Sequence, residues 1–417
     1  MKLGMALGLL LGVASGLAAV TAARADSFTL WARSDDVNFV TPLVAEYNRT
    51  HPDQVRLSLI VASQLVQKFA ASLAGGSAPD ALSLDLVYVP AFASAGVLRD
   101  VGDWARTLPY RDHLPRTHLR QGLYEGRTYG MPFSAEGSIL LYNKALFRQA
   151  GLDPQRPPQD WASLLADAER VHALGRDIHG FFFSAGCGGC QVFEFTPLLW
   201  ASGGDVLSKD GSHVAVDTPI MRRTVQLYRD LVARAGVPPA ARVDNGGYGV
   251  TGFAAGKVGM ENLGAFAIGI LDAKYPGLDY GVAPIPGEHG GHASFAGGDD
   301  IVLTRTTRHA AAIERFIEWS YTLPAQRLLA AHGSLPVRLD LADAALAGLD
   351  PRLAVSEQGV REGHTPYSTV FNDLFNNSNG PWAAMLGRAI FEADPDRALR
   401  RGQNEMQEII ERNRPDE

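Results

Sequence analysis

The stretch Glu125–Leu152, EGRTYGMPFSAEGSILLYNKALFRQAGL, decides how the rest of the chain is read. Glu125-Gly126-Arg127 is a turn, with a glycine that tolerates positive φ. Tyr129 to Phe133 is a short apolar run. Pro132 within it cannot donate to a ladder, which predicts a strand end or a sheet edge. A patch of small and polar residues follows, Ser134-Ala135-Glu136-Gly137-Ser138, and then a buried-type strand, Ile139 to Tyr142. Asn143-Lys144 turns into a short helix, Ala145 to Ala150, with Gly151 as its C′ residue. A lone carboxylate flanked by small residues between two apolar segments reads as a crossover presenting one side chain to a cleft.

On the N-terminal side, Ser27 to Trp31 alternates as a strand, and Thr41-Pro42 predicts a helix start. Arg56 to Val61 is a second strand, Leu65 to Leu73 a helix, and Ala81 to Asp85 a third strand. Strand, helix, strand, helix, strand is the signature of a doubly wound sheet, in which ligands sit beyond the carboxyl ends of the strands. Ser34, Asp35, Asp36 and Asp85 are thereby expected at one cleft edge. Beyond the quoted stretch come helices over 161–174 and from Pro219 to Gly236, a strand at Phe181 to Phe183, and another at Gly259 to Glu261. Gly297-Gly298-Asp299-Asp300 leads into the apolar strand Ile301 to Leu303.

The ordered set Tyr129-Gly130-Met131-Pro132-Phe133, Leu141-Tyr142-Asn143-Lys144, Leu146-Phe147 and Ala150-Gly151-Leu152 resembles the inter-lobe crossover of the extracellular solute-binding proteins of carbohydrate ABC importers, the branch typified by maltose-binding protein. Trp200 with Gly203-Gly204-Asp205, Pro324-Ala325-Gln326 and Gly333 to Arg338 extend the resemblance over about residues 26 to 410. It implies an α/β fold of two doubly wound lobes joined by hinge crossovers. The expected division is 26–134 with 297–336 in one lobe, and 135–296 with 337–417 in the other. It further implies capture of a sugar, oligosaccharide or polyol in the cleft and delivery to a membrane permease. The candidate ligand-binding residues are Asp35, Asp36, Asp85, Glu136, Glu194, Asn262, Phe266, Gly298, Asp299, Arg338 and Asn372. Scattered carboxylates suit a neutral polyhydroxylated ligand, because a charged acceptor strengthens each hydroxyl hydrogen bond. Phe266 follows a strand and a glycine where relatives often place a ring that stacks on a sugar; a packed core aromatic is the alternative. A glycerol-phosphate-type ligand, for which Arg33 and Arg338 are the cations at hand, is the competing reading. A periplasmic glycoside hydrolase using two of the carboxylates is a third.

Composition sets the outer limits. The formal net charge is −7, and no long basic run is present, which argues against nucleic acid or an anionic membrane as partner. Residues 1–25 read as a cleaved signal peptide, with Lys2, an apolar Leu3 to Val20 and Ala23-Arg24-Ala25 before the cut. No cysteine lies near that site for a lipid anchor, so a periplasmic protein, monomeric and without cofactor, is expected. Gly247 to Gly252 fits the dinucleotide-binding glycine pattern, but a loop rather than a strand precedes it. Glu288, His289 and His292 lie in a glycine-rich turn and read as solvated, not as metal ligands. Cys187 and Cys190 are the only cysteines; too few for a structural zinc site, they read as a disulfide. A redox role needs a helix N-terminus, which the Gly-Gly spacer and the residues after it do not announce.

Overall fold

The computed structural model describes residues 26–413, so the expected signal segment lies outside the described residues. Eight strands carry the architecture: β1 (Ser27–Arg33), β2 (Gln54–Ile60), β3 (Ala81–Asp85), β4 (Gly130–Asn143), β5 (His179–Phe182), β6 (Val258–Gly264), β7 (Tyr280–Ala283) and β8 (Ala296–Leu303). They run in the order β2-β1-β3-β8-β4-β6-β5, with β7 also pairing β4. β1, β2 and β3 are parallel, and β8 runs antiparallel between β3 and β4. In β1, Phe28, Leu30 and Ala32 are buried while their neighbours are partly exposed, the period of two that a strand with unequal faces requires.

β4 holds the two lobes together. Its first half, Gly130 to Gly137, pairs with β8; its second half, Ser138 to Asn143, pairs with β6 and β7. The sequence suggested two segments separated by a polar patch, yet the strand is unbroken. Ala135, Glu136 and Gly137 stay in register with Gly298, Gly297 and Ala296, so small residues let two backbones keep pairing through the crossover. Pro132 sits in the half of β4 that is the last strand of the first sheet, beside a register shift between Asp299 and Asp300, where a missing donor is tolerated. Asn143 accepts from the backbone N–H groups of Ala145 and Leu146 and so starts the helix Lys144–Gln149.

Separate cores stabilise the lobes. Phe28, Leu30, Phe133, Phe316 and Ile317 fill one face of the first sheet, and Leu65, Phe69, Leu82 and Val302 the other. Phe181, Phe195, Met260, Tyr228 and Trp382 belong to the second lobe's cluster. The stretch from 337 onward serves both: Val337 and Val360 join the first core, Trp382 and Leu386 the second. That differs from the expected 337–417 assignment to the second lobe alone, because hydrophobic partners on both sides divide this stretch. The first helix also departs from expectation. It spans Val37–Thr50 with Pro42 inside it, entered directly from a short 3-10 turn, Ser34–Asp36.

Gly298 shows why the crossover needs glycine. Its φ is +118°, and a Cβ there would run into the Ser134 carbonyl oxygen. Gly298→Ala is therefore expected to lose about 2 kcal/mol or more from backbone strain and the clash, read as a fall in the urea midpoint. Strand crossing alone therefore requires glycine at position 298.

Candidate ligand-binding cleft

The carboxyl ends of β1 and β3 meet the start of β8, and Asp85 of β3 is the register partner of Asp299. Arg33 ends β1 among their carboxylates. Its Nη2 donates to Asp299 Oδ1 at 2.6 Å, Nε lies 3.4 Å from Asp36 Oδ2, and Nη1 lies 3.7 Å from Asp85 Oδ2. The second Asp299 oxygen accepts from Ser83 Oγ at 2.7 Å, and the Asp299 N–H donates to Ser134 Oγ at 3.1 Å. Burial works against the Arg33 cation, yet Asp299, Asp36 and Asp85 together hold it charged well above the ordinary guanidinium range. The same burial pushes Asp36 up to about 9, reinforced by Asp299, and Asp85 up to about 6 against the pull of Arg33. Asp85 nevertheless keeps 31% of its side chain exposed, as a group in the wall of a recess does.

Glu136 faces this cluster from the crossover. Of the residues of β4 it is the one not buried. Its Oε1 lies over Gly264, where any Cβ would collide with it, and accepts from the Phe266 N–H at 3.4 Å. Burial pushes its carboxyl up to about 7, opposed by that N–H and by Arg33. The Phe266 ring also meets the space above Gly264 and is 44% exposed. A carboxylate and a partly exposed aromatic ring thus stand side by side. That pairing can take a hydroxyl on one and a C–H face on the other.

The remaining candidates divide. Asp35 is exposed in the Ser34–Asp36 turn and accepts from Ser34 Oγ. Asp36 is buried behind Arg33, and Asp299 is fully buried and already bonded, so neither offers an oxygen to a ligand as expected. Asn262 is buried, with its amide donating to the Glu194 carbonyl and its Oδ1 without a partner. Glu194 is buried too, accepts from the Ser184 N–H and is pushed up to about 8 by burial. The Arg338 guanidinium is engaged by its own neighbours. It forks onto Asp340, donates to the Tyr321 carbonyl and lies 4.1 Å over the Tyr110 ring. Asn372 is exposed beside Asp373; the amide of this segment that reaches the first lobe is Asn376, donating to Tyr88 Oη at 2.9 Å. Arg33 as the centre of the cluster, Ser83, Ser134 and Tyr88 were missed. Position after a strand end could have flagged Arg33; the serines carry no sequence signal.

Gly249–Ala254 is a single short helix preceded by a loop, not the strand–turn–helix of a dinucleotide site. Among the described residues no group of three or more His, Cys, Asp or Glu side chains could hold a metal ion.

Residues 33–327 match the family described as bacterial extracellular solute-binding protein. The chain belongs to this family. A protein of Brucella abortus named only as a binding protein is 27% identical over 250 residues, 59% of each chain; the chain thus spans about three-fifths of that relative's length. The sn-glycerol-3-phosphate-binding periplasmic protein UgpB of Yersinia pestis is 30% identical over 112 residues, covering 25% of this chain and 24% of its own. Among solved structures, the cyclic alpha-maltosyl-1,6-maltose binding protein from Arthrobacter globiformis superimposes with a TM-score of 0.81 at 25% identity, over 93% of this chain and 99% of that one. This solute-binding protein therefore has the periplasmic-binding-protein fold, two α/β lobes joined through β4 and its neighbours.

Proposed function

We propose that this solute-binding protein captures a neutral sugar, oligosaccharide or polyol between its lobes and delivers it, unaltered, to a membrane ABC permease. One observation carries the ligand class: the Glu136 carboxyl and the exposed Phe266 ring converge over Gly264. The phosphorylated alternative, prompted by the UgpB likeness, needs uncommitted cations. Arg33 is already shared among three carboxylates and Arg338 is tied to Asp340. A surplus of carboxylates repels a phosphate and accepts from hydroxyls. The protein works as a periplasmic monomer without nucleic acid, and the lobes close by bending near Glu136 to Ser138 on β4.

A thermal-shift screen of sugars, polyols and sn-glycerol 3-phosphate tests this. A true ligand at a hundred times its Kd is expected to stabilise the protein by about 2.7 kcal/mol, and calorimetric titration to give one site per chain. Selective stabilisation by the phosphate ester would overturn the ligand class, and glycoside product in excess of protein would overturn capture without chemistry.

A further inference from the structure

We propose that Cys187–Cys190 is a thiol–disulfide exchange centre, with Cys187 the sulfur that an incoming thiolate attacks. The two are joined in a disulfide, and both are partly exposed. Against the sequence expectation, they open a long helix, Gly188–Trp200, with Cys187 as its N-cap. The Cys190 N–H donates to Cys187 Sγ at 3.1 Å. A sulfur that accepts a backbone N–H at the positive end of a helix is stabilised as the thiolate. The pair is also asymmetric. Cys187 Sγ is the one that accepts the helix N–H, whereas Gly246, at φ +96°, lies so close over Cys190 that a Cβ there would stand 3.2 Å from its Sγ.

The charged groups around the pair do not cancel this. Asp244, on the loop covering Cys190, already accepts from Ser184 Oγ, Gly246 N and Tyr248 N. Glu194, one turn along the same helix, is pushed up to about 8 by burial and is mostly uncharged at neutral pH. The spacer glycines permit the placement: a Cβ at Gly188 would strike the Phe375 carbonyl, and one at Gly189 would stand 2.9 Å from Asn376 Oδ1. The centre therefore sits against the segment that reaches Tyr88 across the cleft.

The chemistry needs an external dithiol. Its thiolate attacks Cys187 Sγ, a mixed disulfide forms, and Cys190 leaves as a thiolate that takes up a proton. The second thiol of the reductant then displaces Cys187, so two electrons pass to the protein and the reductant departs as a disulfide.

The test uses the full chain reduced with dithiothreitol, freed of reductant, and alkylated with iodoacetamide across about pH 4 to 9, with each cysteine followed by peptide mass. Cys187 is expected to react at least about tenfold faster than Cys190 at pH 7, with a rate midpoint at least about one unit below the ordinary thiol value of about 8.5. Cys190→Ser should leave the Cys187 midpoint depressed, since the residue 190 N–H remains. Equal rates, or a midpoint at or above about 8.5 in both proteins, would overturn the proposal. So would a disulfide that stays fully oxidised in a large excess of reduced over oxidised glutathione.

Discussion

Arg33→Met is expected to destabilise the protein by about 3–5 kcal/mol, as breaking a buried ion pair from one side does. Methionine keeps much of the side-chain volume but leaves Asp299, fully buried, without the cation at 2.6 Å, and leaves Asp36 and Asp85 beside it. The loss depends on pH, and its sign follows from the raised carboxyls. Asp36 is at about 9 and Asp85 at about 6 even with Arg33 lowering both; without it they rise further. Groups with a folded pKa above the unfolded one bind more protons in the native state, so stability falls as pH rises from about 4 through the folded values. The deficit of the variant is therefore smallest near pH 5 and largest near pH 8. Urea unfolding of both proteins at those two values checks it, and equal midpoints at pH 8 would mean that Arg33 does not hold the wall together.

Glu136→Ala acts on binding instead. A hydrogen bond from a ligand hydroxyl to a charged acceptor contributes about 1.5–3 kcal/mol, so the variant is expected to bind about ten- to a hundredfold more weakly. In the unliganded protein Glu136 accepts one long bond, from the Phe266 N–H at 3.4 Å, and little is lost by removing it. Its carboxyl, at about 7, costs stability as it ionises between about pH 4.5 and 7, so alanine should not lower the melting temperature at pH 8. Affinity of the parent should decline as pH falls below about 7 and the acceptor takes up its proton, whereas the variant should lose that dependence. Calorimetric titration at pH 5.5 and 8 with the sugar found in the thermal-shift screen separates the outcomes. Unchanged affinity together with a collapsed melting temperature would make Glu136 structural.

The comparison of these two residues also shows what could be read without the fold. Glu136 was legible because its neighbours are small: nothing in Ser134 to Ser138 can cover a carboxylate, and Glu136 is the one residue of β4 left partly exposed. Phe266 was legible through the glycine before it, which gives the ring and the Glu136 carboxyl shared space. The doubly wound pattern, the positions of most strands and the crossover at Glu125 to Leu152 all follow from local periodicity and turn residues, which act over a few residues and so are written in the order of the chain.

What the sequence could not assign was the partner of each charge. Asp36 read as a ligand acceptor from its place after a strand end, and Asp299 from its place after the Gly297-Gly298 pair. Arg33 reaches Asp299 only because β1, β3 and β8 lie side by side, the two residues being 266 positions apart in the chain. Arg338 read as a cleft cation until Asp340, the Tyr321 carbonyl and the Tyr110 ring surrounded it. The cysteine pair lacked a visible helix start because its N-cap geometry is held by packing of Gly188 and Gly189 on 375–377, a contact absent from any local pattern. The sequence by itself determined most of the elements, the crossover and the one residue of β4 that is not buried, since these rest on side-chain size and period. Tertiary structure alone decided which acids are spent on Arg33 and which remain free, since a charge is satisfied by whatever the fold brings within about 4 Å of it.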